Sequence, residues 1–486
     1  MKTILIFIII VFVFSSIGFA QTVEERIKTL EEALKKQEET IKELKSLQEI
    51  LRKQEQTIQD QKEVIEKLKA EIKQQKAPEG AQEGAKQEKK EAPIAKDYRL
   101  DDRSRAIELK TAAPLSPLQI TKQTTPGLLN PAIGLSLDGN YYYSNLSKSE
   151  LKERNIPGYL FGIEREFHKG FNLREAELTF FAPVDPYFNL YATIPITEDG
   201  VELEEAYFVT TSLPAGFQLK GGKFKSGFGR LNAFHPHAWD FVDAPLPYRA
   251  FLGEEGLDEK GVQLTYLPNL PIYAILGFEA LQGENSILYG PDAGSGVHAF
   301  TGFAKASLDF GSDHTLLFGW SVTGGKTKTD TVAPETQFSG TSTLYDAELT
   351  YKWKPSNQKS FIVQTEYLFR HQMGDLLSLS TLDVDSLKRN QDGWYIQALY
   401  QLGRWRFGAR YDILSIFTDK YDLSGRKIYW GSRPYRLTGA LEFNPTEFSR
   451  IRLQYNYGRS ERNDKLNNEI LLQIILAIGA HGAHPF

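Results

Sequence analysis

Two imidazoles and two carboxylates lie close together in one short stretch of the sequence, which begins with a His-Pro-His motif at residues 235–237. Asp240 and Asp243 follow, so that the four side chains fall within nine residues. Nitrogen and oxygen donors of this kind bind Zn²⁺ in four-coordinate sites. His235, His237 and Asp240 are therefore candidate metal ligands, and exposed histidines of an ordinary loop are the alternative interpretation.

Other signals of chemistry are sparse. His481 and His484 are a second pair of candidate metal ligands. The sequence has no Gly-x-Ser-x-Gly elbow, no His-Glu-x-x-His motif and no phosphate-binding glycine loop, so we expect neither an enzyme nor a cofactor. A hydrolase built on an isolated Ser/His pair is the alternative. Because cysteine is absent, thiolate metal sites, thiol nucleophiles and disulfides are excluded.

The His-Pro-His motif belongs to a longer segment, residues 227–259, that is rich in proline and aromatic residues. A freely solvated loop does not need this apolar content, so the segment is expected to pack against an inner wall. A loop that caps a mouth from outside is the alternative. The acidic residues of the segment that we select as candidate site residues are Asp240, Asp243, Glu254 and Glu255.

Basic residues on both sides of this segment fall on the polar positions of alternating stretches. They are Lys220, Arg406, Arg410, Arg436, Arg450 and Arg452. Lys223 and Lys225 are out of phase with Lys220, and a β-bulge at Gly221-Gly222 would bring all three to one face. An acidic segment facing a basic wall predicts a transverse field that orients polar solutes, and charges that are paired locally are the alternative.

The elements that would position these residues are β-strands. From about residue 133 onward apolar and polar residues alternate, as Tyr345 and Leu349 do with Asp346 and Glu348. One apolar face and one polar face suit a strand with lipid outside and water inside. Sixteen such segments are predicted, at 133–144, 170–182, 187–196, 201–211, 216–226, 260–267, 272–282, 298–310, 314–327, 343–354, 359–372, 392–402, 405–416, 433–443, 449–459 and 468–479.

The connections between these segments alternate in length. The long ones are predicted at 145–169, 227–259, 283–297, 373–391 and 417–432. Short periplasmic turns alternating with long outer loops are typical of outer-membrane barrels. We therefore predict an all-β transmembrane fold, a 16-stranded antiparallel outer-membrane β-barrel over residues 133–486, with loop 227–259 folded inward as the pore constriction. A soluble β-sandwich is the alternative.

The sequence before the barrel has a different character. Residues 1–20 predict a signal peptide, because a basic start and a short apolar run end in small residues. Residues 22–75 place Ile and Leu at heptad spacing and predict an N-terminal α-helical coiled coil in the periplasm. Residues 76–97 predict a flexible linker, and residues 98–132 a periplasmic lead-in.

Several short motifs resemble known outer-membrane proteins. Asn130-Pro131-Ala132-Ile133 and residues 222–229 resemble the phosphate-selective porin O and P family. Residues 231–237, 241–245 and 479–486 are similar to plug-less barrels labelled zinc-regulated outer-membrane receptors. The resemblance covers roughly residues 128–486, and it implies a sixteen-stranded, trimeric diffusion channel. The receptor label would normally imply an energised plug domain, but residues 98–132 are too short to form one, so passive diffusion is expected.

These observations predict an outer-membrane porin that allows passive diffusion of small hydrophilic solutes or ions, with a weak preference for cations. A periplasm-spanning tether anchored by the barrel and a metal (zinc) uptake receptor are the alternatives. The expected partners are outer-membrane lipid, two further copies in a homotrimer, the barrel-assembly machinery through Phe486, and peptidoglycan through the coiled coil. A net charge of −5 is too small to imply nucleic acid as a partner.

Overall fold

The part of the chain that the structure describes begins at residue 131. The computed structural model describes residues 131–152, 156–159, 167–254, 256–289, 296–333, 336–459, 462 and 465–479, and for 152 and 327–333 the backbone alone. The chain divides into two units, 1–98 and 99–486, and every described residue belongs to the second. The predicted signal peptide, coiled coil and linker lie outside the described residues, as do Glu255, His481, His484 and Phe486. Among the described residues, no helix is both long enough and apolar enough to cross a bilayer.

Seventeen β-strands make up most of the regular structure of the described residues. They are β1 (Ala132–Ser144), β2 (Gly170–Pro183), β3 (Phe188–Ile196), β4 (Glu205–Thr210), β5 (Phe217–Lys225), β6 (Asp258–Tyr266), β7 (Tyr273–Leu281), β8 (Ala299–Phe310), β9 (His314–Ala333), β10 (Thr336–Ser356), β11 (Lys359–Ser378), β12 (Val384–Leu402), β13 (Trp405–Leu423), β14 (Arg426–Ile428), β15 (Tyr435–Thr446), β16 (Ser449–Arg459) and β17 (Asn467–Gly479). Strands that follow one another pair antiparallel, and β1 also pairs with β17, which closes the sheet. The short β14 forms a hairpin with β13, and β13 pairs onward with β15, so sixteen strands form the barrel. The predicted strand number is confirmed.

Side chains alternate between the outside and the inside of this barrel. On β10, Tyr345 and Leu349 are 47% and 42% exposed. Asp346 and Glu348, which alternate with them, are each only 4% exposed. Because successive side chains of a strand point to opposite faces, the apolar residues face outward and the polar residues face the lumen. This confirms the parity that the sequence predicts for β10.

Two of the predicted long loops are wrong. β11 runs to Ser378 and β12 begins at Val384, so strands and a short turn replace the predicted loop 373–391. β13 continues to Leu423 and makes a hairpin with β14 inside the predicted loop 417–432. A strand that extends beyond the lipid no longer needs an apolar face, so the alternation ends before the strand does.

Two long connections at one end of the barrel contain helices. Helix α1 (Lys148–Lys152) lies between β1 and β2, and helix α2 (Leu246–Leu252) lies between β5 and β6. Pro247 lies in the first turn of α2, where proline is tolerated because a helix leaves those amide groups unbonded. Gly253 ends the helix with a positive φ of 85°. The connection between β5 and β6, called the inward loop below, positions the candidate site.

Candidate functional site

Apolar side chains of the inward loop form a core inside the barrel. Phe228 and Phe251 are at most 1% exposed, and they cluster with Leu344 of β10, Leu368 of β11 and Leu414 of β13. These wall residues lie on strands across the barrel from β5 and β6, where the loop begins and ends. The inward loop is therefore folded across the lumen and packed against its far wall.

One asparagine closes the base of the inward loop. The amide nitrogen of Asn232 donates to the backbone oxygens of Ser226 and Leu257, at 2.9 and 3.1 Å. Its side-chain oxygen accepts from the amide of Leu257 at 2.7 Å and from the hydroxyl of Tyr248 at 2.9 Å. Gly256 is essential to this arrangement, since a Cβ there would lie 1.9 Å from the Tyr248 hydroxyl and 2.3 Å from the Asn232 oxygen.

Five arginines on β13, β15 and β16 bind the part of the inward loop at residues 237–244, and we call them the arginine wall. The bonds are Arg406 Nη2 to Asp240 Oδ1 (2.6 Å), Arg410 Nη2 to Asp243 Oδ1 (2.6 Å), Arg436 Nη1 to Asp243 Oδ2 (2.8 Å), Arg450 Nη1 to the backbone oxygen of His237 (3.2 Å) and Arg452 Nη2 to the backbone oxygen of Trp239 (2.9 Å). Charge-assisted bonds of this kind are shorter and stronger than neutral ones. Asp240 and Asp243 are thus in direct contact with the basic wall. This agrees with the alternative interpretation, in which the charges are paired locally, and not with an acidic loop that faces the wall across water.

Asp243 is the centre of the arginine wall. Besides Arg410 and Arg436, its carboxylate accepts from the side-chain amides of Gln454 and Asn456, each at 2.8 Å. Burial favours the neutral acid, but the attraction of Arg436 and Arg410 outweighs it and holds the pKa of Asp243 below its ordinary value. The carboxylate is therefore ionised and fixed in place at neutral pH.

Two strands on another side of the lumen hold the start of the inward loop through carboxylates. Glu366 of β11 accepts from the backbone amides of Arg230 and Leu231, at 2.7 and 3.0 Å. Glu348 of β10 lies 3.3 Å from the ammonium of Lys305 on β8, and this ammonium donates to the backbone oxygen of Gly229 at the start of the loop. The loop is thereby bonded to acidic side chains at one end and to basic side chains at residues 237–244.

The two histidines of the loop face a group of glutamates on β2 and at the start of β4. His237 Nδ1 lies 3.6 Å from Glu175 and 3.2 Å from Glu177. Burial lowers the proton affinity of both imidazoles, but their glutamate neighbours outweigh this, so the pKa of His237 is raised and that of His235 is raised well above its ordinary value. Asp240, the third predicted metal ligand, is bonded to Arg406 and does not join them. That part of the predicted ligand set is wrong, because the loop turns between His237 and Asp240.

The remaining predicted site residues are not all brought together. Lys220 places its ammonium 4.9 Å from the ring centre of Tyr207, and Lys223 lies 3.2 Å from Asp258. The described pairing of β5 with β4 and β6 runs through Gly221-Gly222 without a register shift, so the predicted bulge is wrong. Lys225 pairs with Glu204 at 2.9 Å.

Glu254, another of the candidate acids, is 37% exposed at its side chain and pairs with Arg249 at 2.7 Å. It is therefore bonded within the loop itself and not to the arginine wall. The three lysines and Glu254 do not form one charged surface with the arginines.

Several residues of the site were not singled out by the sequence. They are Glu175, Glu177, Glu204, Glu348, Glu366, Asp412 and Glu442. Asp346, Glu348 and Glu366 are on the polar positions of predicted strands, so parity could have identified them as lumen carboxylates. Their partners could not be identified in this way, since strand parity carries no information about which loop residue lies opposite.

The structure defines a closed sixteen-stranded barrel with an apolar exterior and a loop bound inside it. No family model matches the chain. An uncharacterized protein of Aquifex aeolicus (strain VF5) is 40% identical over an alignment of 418 residues, which covers 79% of this chain and 86% of that protein. The chain belongs to the same family as this protein. Membership of this chain in the phosphate-selective porin O and P family, which its motifs resemble, stays a prediction.

Solved barrels resemble the chain more distantly. OmpT of Vibrio cholerae, in its trimer form, has a TM-score of 0.45 at 11% identity, covering 72% of this chain and 99% of that one. The outer-membrane channel DcaP of Acinetobacter baumannii has a TM-score of 0.44 at 12% identity, covering 72% and 96%. An anion-selective porin from Comamonas acidovorans also has 0.44, at 10% identity, covering 72% and 99%. We draw nothing about function from likenesses at this level.

Proposed function

We propose that the protein is an outer-membrane porin, a channel for passive diffusion of small hydrophilic solutes or ions. The observation that carries this proposal is the inward loop, held across the lumen of a closed barrel by the arginine wall. An anchor needs only the apolar outside of a barrel. A loop bound to the inner wall at many points sets the width and the charge of a passage.

The long-loop end of the barrel would face outward and the chain ends would face the periplasm, since short periplasmic turns are the rule in such barrels. Residues 22–75 would then project into the periplasm and help to hold three copies together through their heptad seam. The assembly machinery would recognise the C-terminal Phe486, and the coiled coil would reach towards peptidoglycan.

The charges in the constriction argue for weak ion selectivity. Asp240 and Asp243 are bonded to Arg406, Arg410 and Arg436, so neither sign is left in large excess at these residues. The acidic loop alone predicts a weak preference for cations. Because its acids are paired with arginines, we propose near-neutral selectivity instead. Paired charges of both signs still present polar edges that orient a hydrophilic solute.

The experiment is single-channel recording with the purified full-length protein in a planar lipid bilayer. Discrete steps of current that rise linearly with voltage are the expected result. A barrel that inserts but conducts at no voltage would overturn the proposal, and it would favour the tether.

A further inference from the structure

We propose that His235 and His237 of the inward loop form, with Glu175, Glu177 and Glu204, a binding site for a divalent transition-metal ion of which Glu177 is the shared ligand. The site is distinct from the arginine wall. It goes beyond the proposed diffusion function and does not rest on it.

The spacing of the donor atoms fits a metal ion. Glu177 Oε2 lies 3.2 Å from His237 Nδ1 and 3.5 Å from His235 Nδ1. His235 Nδ1 also lies 3.1 Å from Glu204 Oε2. Two ligands bound to Zn²⁺ at about 2.0–2.2 Å and a tetrahedral angle are about 3.3–3.6 Å apart. These donor pairs therefore lie at close to the separations that a bound ion requires.

The atoms form two ligand sets that share one carboxylate. Glu175, Glu177 and His237 make one set, and Glu177, Glu204 and His235 make the other, with all donor atoms of a set within 4.8 Å of one another. Each set offers three donors, which leaves a position for water or for a solute. A three-ligand site with an open position is the arrangement of reactive and exchangeable zinc sites.

A second observation, independent of the spacing, points to a missing ligand. Glu177 is 1% exposed, its Oε1 makes no hydrogen bond with a described residue, and its Oε2 contacts the imidazoles of His237 and His235 at 3.2 and 3.5 Å. A buried carboxylate with one oxygen left without a hydrogen bond is costly, because that oxygen has lost its water and regained little in return. An ion bound to the Glu177 carboxylate would supply the missing interaction.

The neighbouring residues orient the ligands. His235 Nε2 lies 2.9 Å from Glu205 Oε2, so the Nε2–H can donate there and leave Nδ1 as the atom that binds the metal. A carboxylate behind a histidine is the usual outer partner of such ligands. Lys225 lies 2.9 Å from Glu204 Oε1, which leaves Oε2 directed at His235.

The donor types select the class of ion. Two imidazoles disfavour Ca²⁺ and Mg²⁺, which prefer oxygen ligands alone, whereas Zn²⁺, Mn²⁺, Co²⁺ and Ni²⁺ accept mixed nitrogen and oxygen donors. The carboxylates Asp346, Glu348 and Glu366 form another possible set. That set has no imidazole, and Glu366 already accepts the loop amides of Arg230 and Leu231, so we do not propose a site there.

The test is Zn²⁺ binding by the untagged full-length protein in detergent, measured by equilibrium dialysis with metal analysis. We expect at least one ion per chain. Glu177→Gln should weaken binding by more than the roughly 10–100-fold that the loss of an outer partner costs. Glu205→Ala should weaken it within that range, while Glu205→Gln, which keeps an acceptor for Nε2–H, should restore it.

Two control variants separate this site from other candidates. Glu469→Gln removes a buried lumen carboxylate that is bonded to Tyr142 and Asn456, and it should leave binding unchanged. A variant with both His481→Gln and His484→Gln should also bind as the natural chain does.

The Co²⁺-loaded protein should show visible absorption that Glu177→Gln abolishes while the barrel remains folded by circular dichroism. Absence of binding by the folded natural chain, or equal binding by Glu177→Gln, would overturn the proposal. Failure of conduction in the bilayer experiment would leave this result unaffected.

Discussion

At the scale of single residues, Asp243 connects the inward loop to the barrel wall. Its two oxygens pair with Arg410 and Arg436, whose side chains are 1% and 6% exposed. Removing one member of a buried ion pair leaves the other charge without compensation, which costs far more than the pair itself contributes. Two of the five arginines of the arginine wall therefore depend on Asp243, and they share Asp412 as their second carboxylate partner.

Asp243→Asn is expected to lower the free energy of unfolding by about 3–5 kcal/mol, because the buried guanidinium groups of Arg410 and Arg436 are then left with Asp412 as their one shared counter-charge. Urea unfolding of the barrel followed by tryptophan fluorescence measures this. The matched control is Glu254→Gln, whose more exposed pair with Arg249 should contribute less than about 1 kcal/mol. Equal losses in the two variants would contradict the role given to Asp243.

Acid should weaken the natural protein more than the Asp243→Asn variant. The pKa of Asp243 is depressed in the folded state, so its contribution is complete above the ordinary carboxyl pKa of 3.8 and is lost as the pH falls through the folded value. We expect the difference in unfolding free energy between the two proteins to shrink as the pH is lowered from about 5 towards 3. A difference that stays constant over this range would rule out this carboxylate as the titrating group.

At the scale of elements, strand number and strand parity could be predicted from the sequence, because lipid outside and water inside impose a period of two. The placement of Arg410 and Asp346 on the inner face follows from that period alone. The ends of β11 to β13 could not be predicted, since the alternation stops where the lipid stops. The partners of His237 could not be predicted either, because Glu175 and Glu177 lie on a strand about sixty residues earlier in the chain.

The inward loop itself depends on a glycine at position 256. Gly256→Ala should destabilise the barrel by about 1–3 kcal/mol more than Gly311→Ala, as measured by urea unfolding. Both glycines have positive φ, 77° and 72°, so both variants carry the backbone cost. Only at position 256 would the new Cβ meet Tyr248 and Asn232, since nothing lies within 4 Å at position 311. Equal effects would show that the loop core tolerates the extra atom.

At the scale of the whole molecule, we propose that the barrel and the predicted coiled coil contribute separately to the assembly of three chains. We expect light scattering of the full-length protein in detergent to give the mass of three chains. Deleting residues 22–75 should shift the population towards smaller species at equal dilution, because the predicted heptad seam would bury apolar residues between helices. A full-length protein that has the mass of one chain would contradict the trimer.

The central claim is that the inward loop constricts an open passage. Single-channel conductance of the full-length protein and of a variant lacking residues 232–250 tests it most directly, with a shortened turn at 379–383 as the control. We expect ohmic steps of current in all three proteins. The steps should be severalfold larger after the loop deletion, because this deletion removes the segment that fills the lumen. In the control variant, the size of the steps should be unchanged. Steps of equal size with and without residues 232–250 would contradict it.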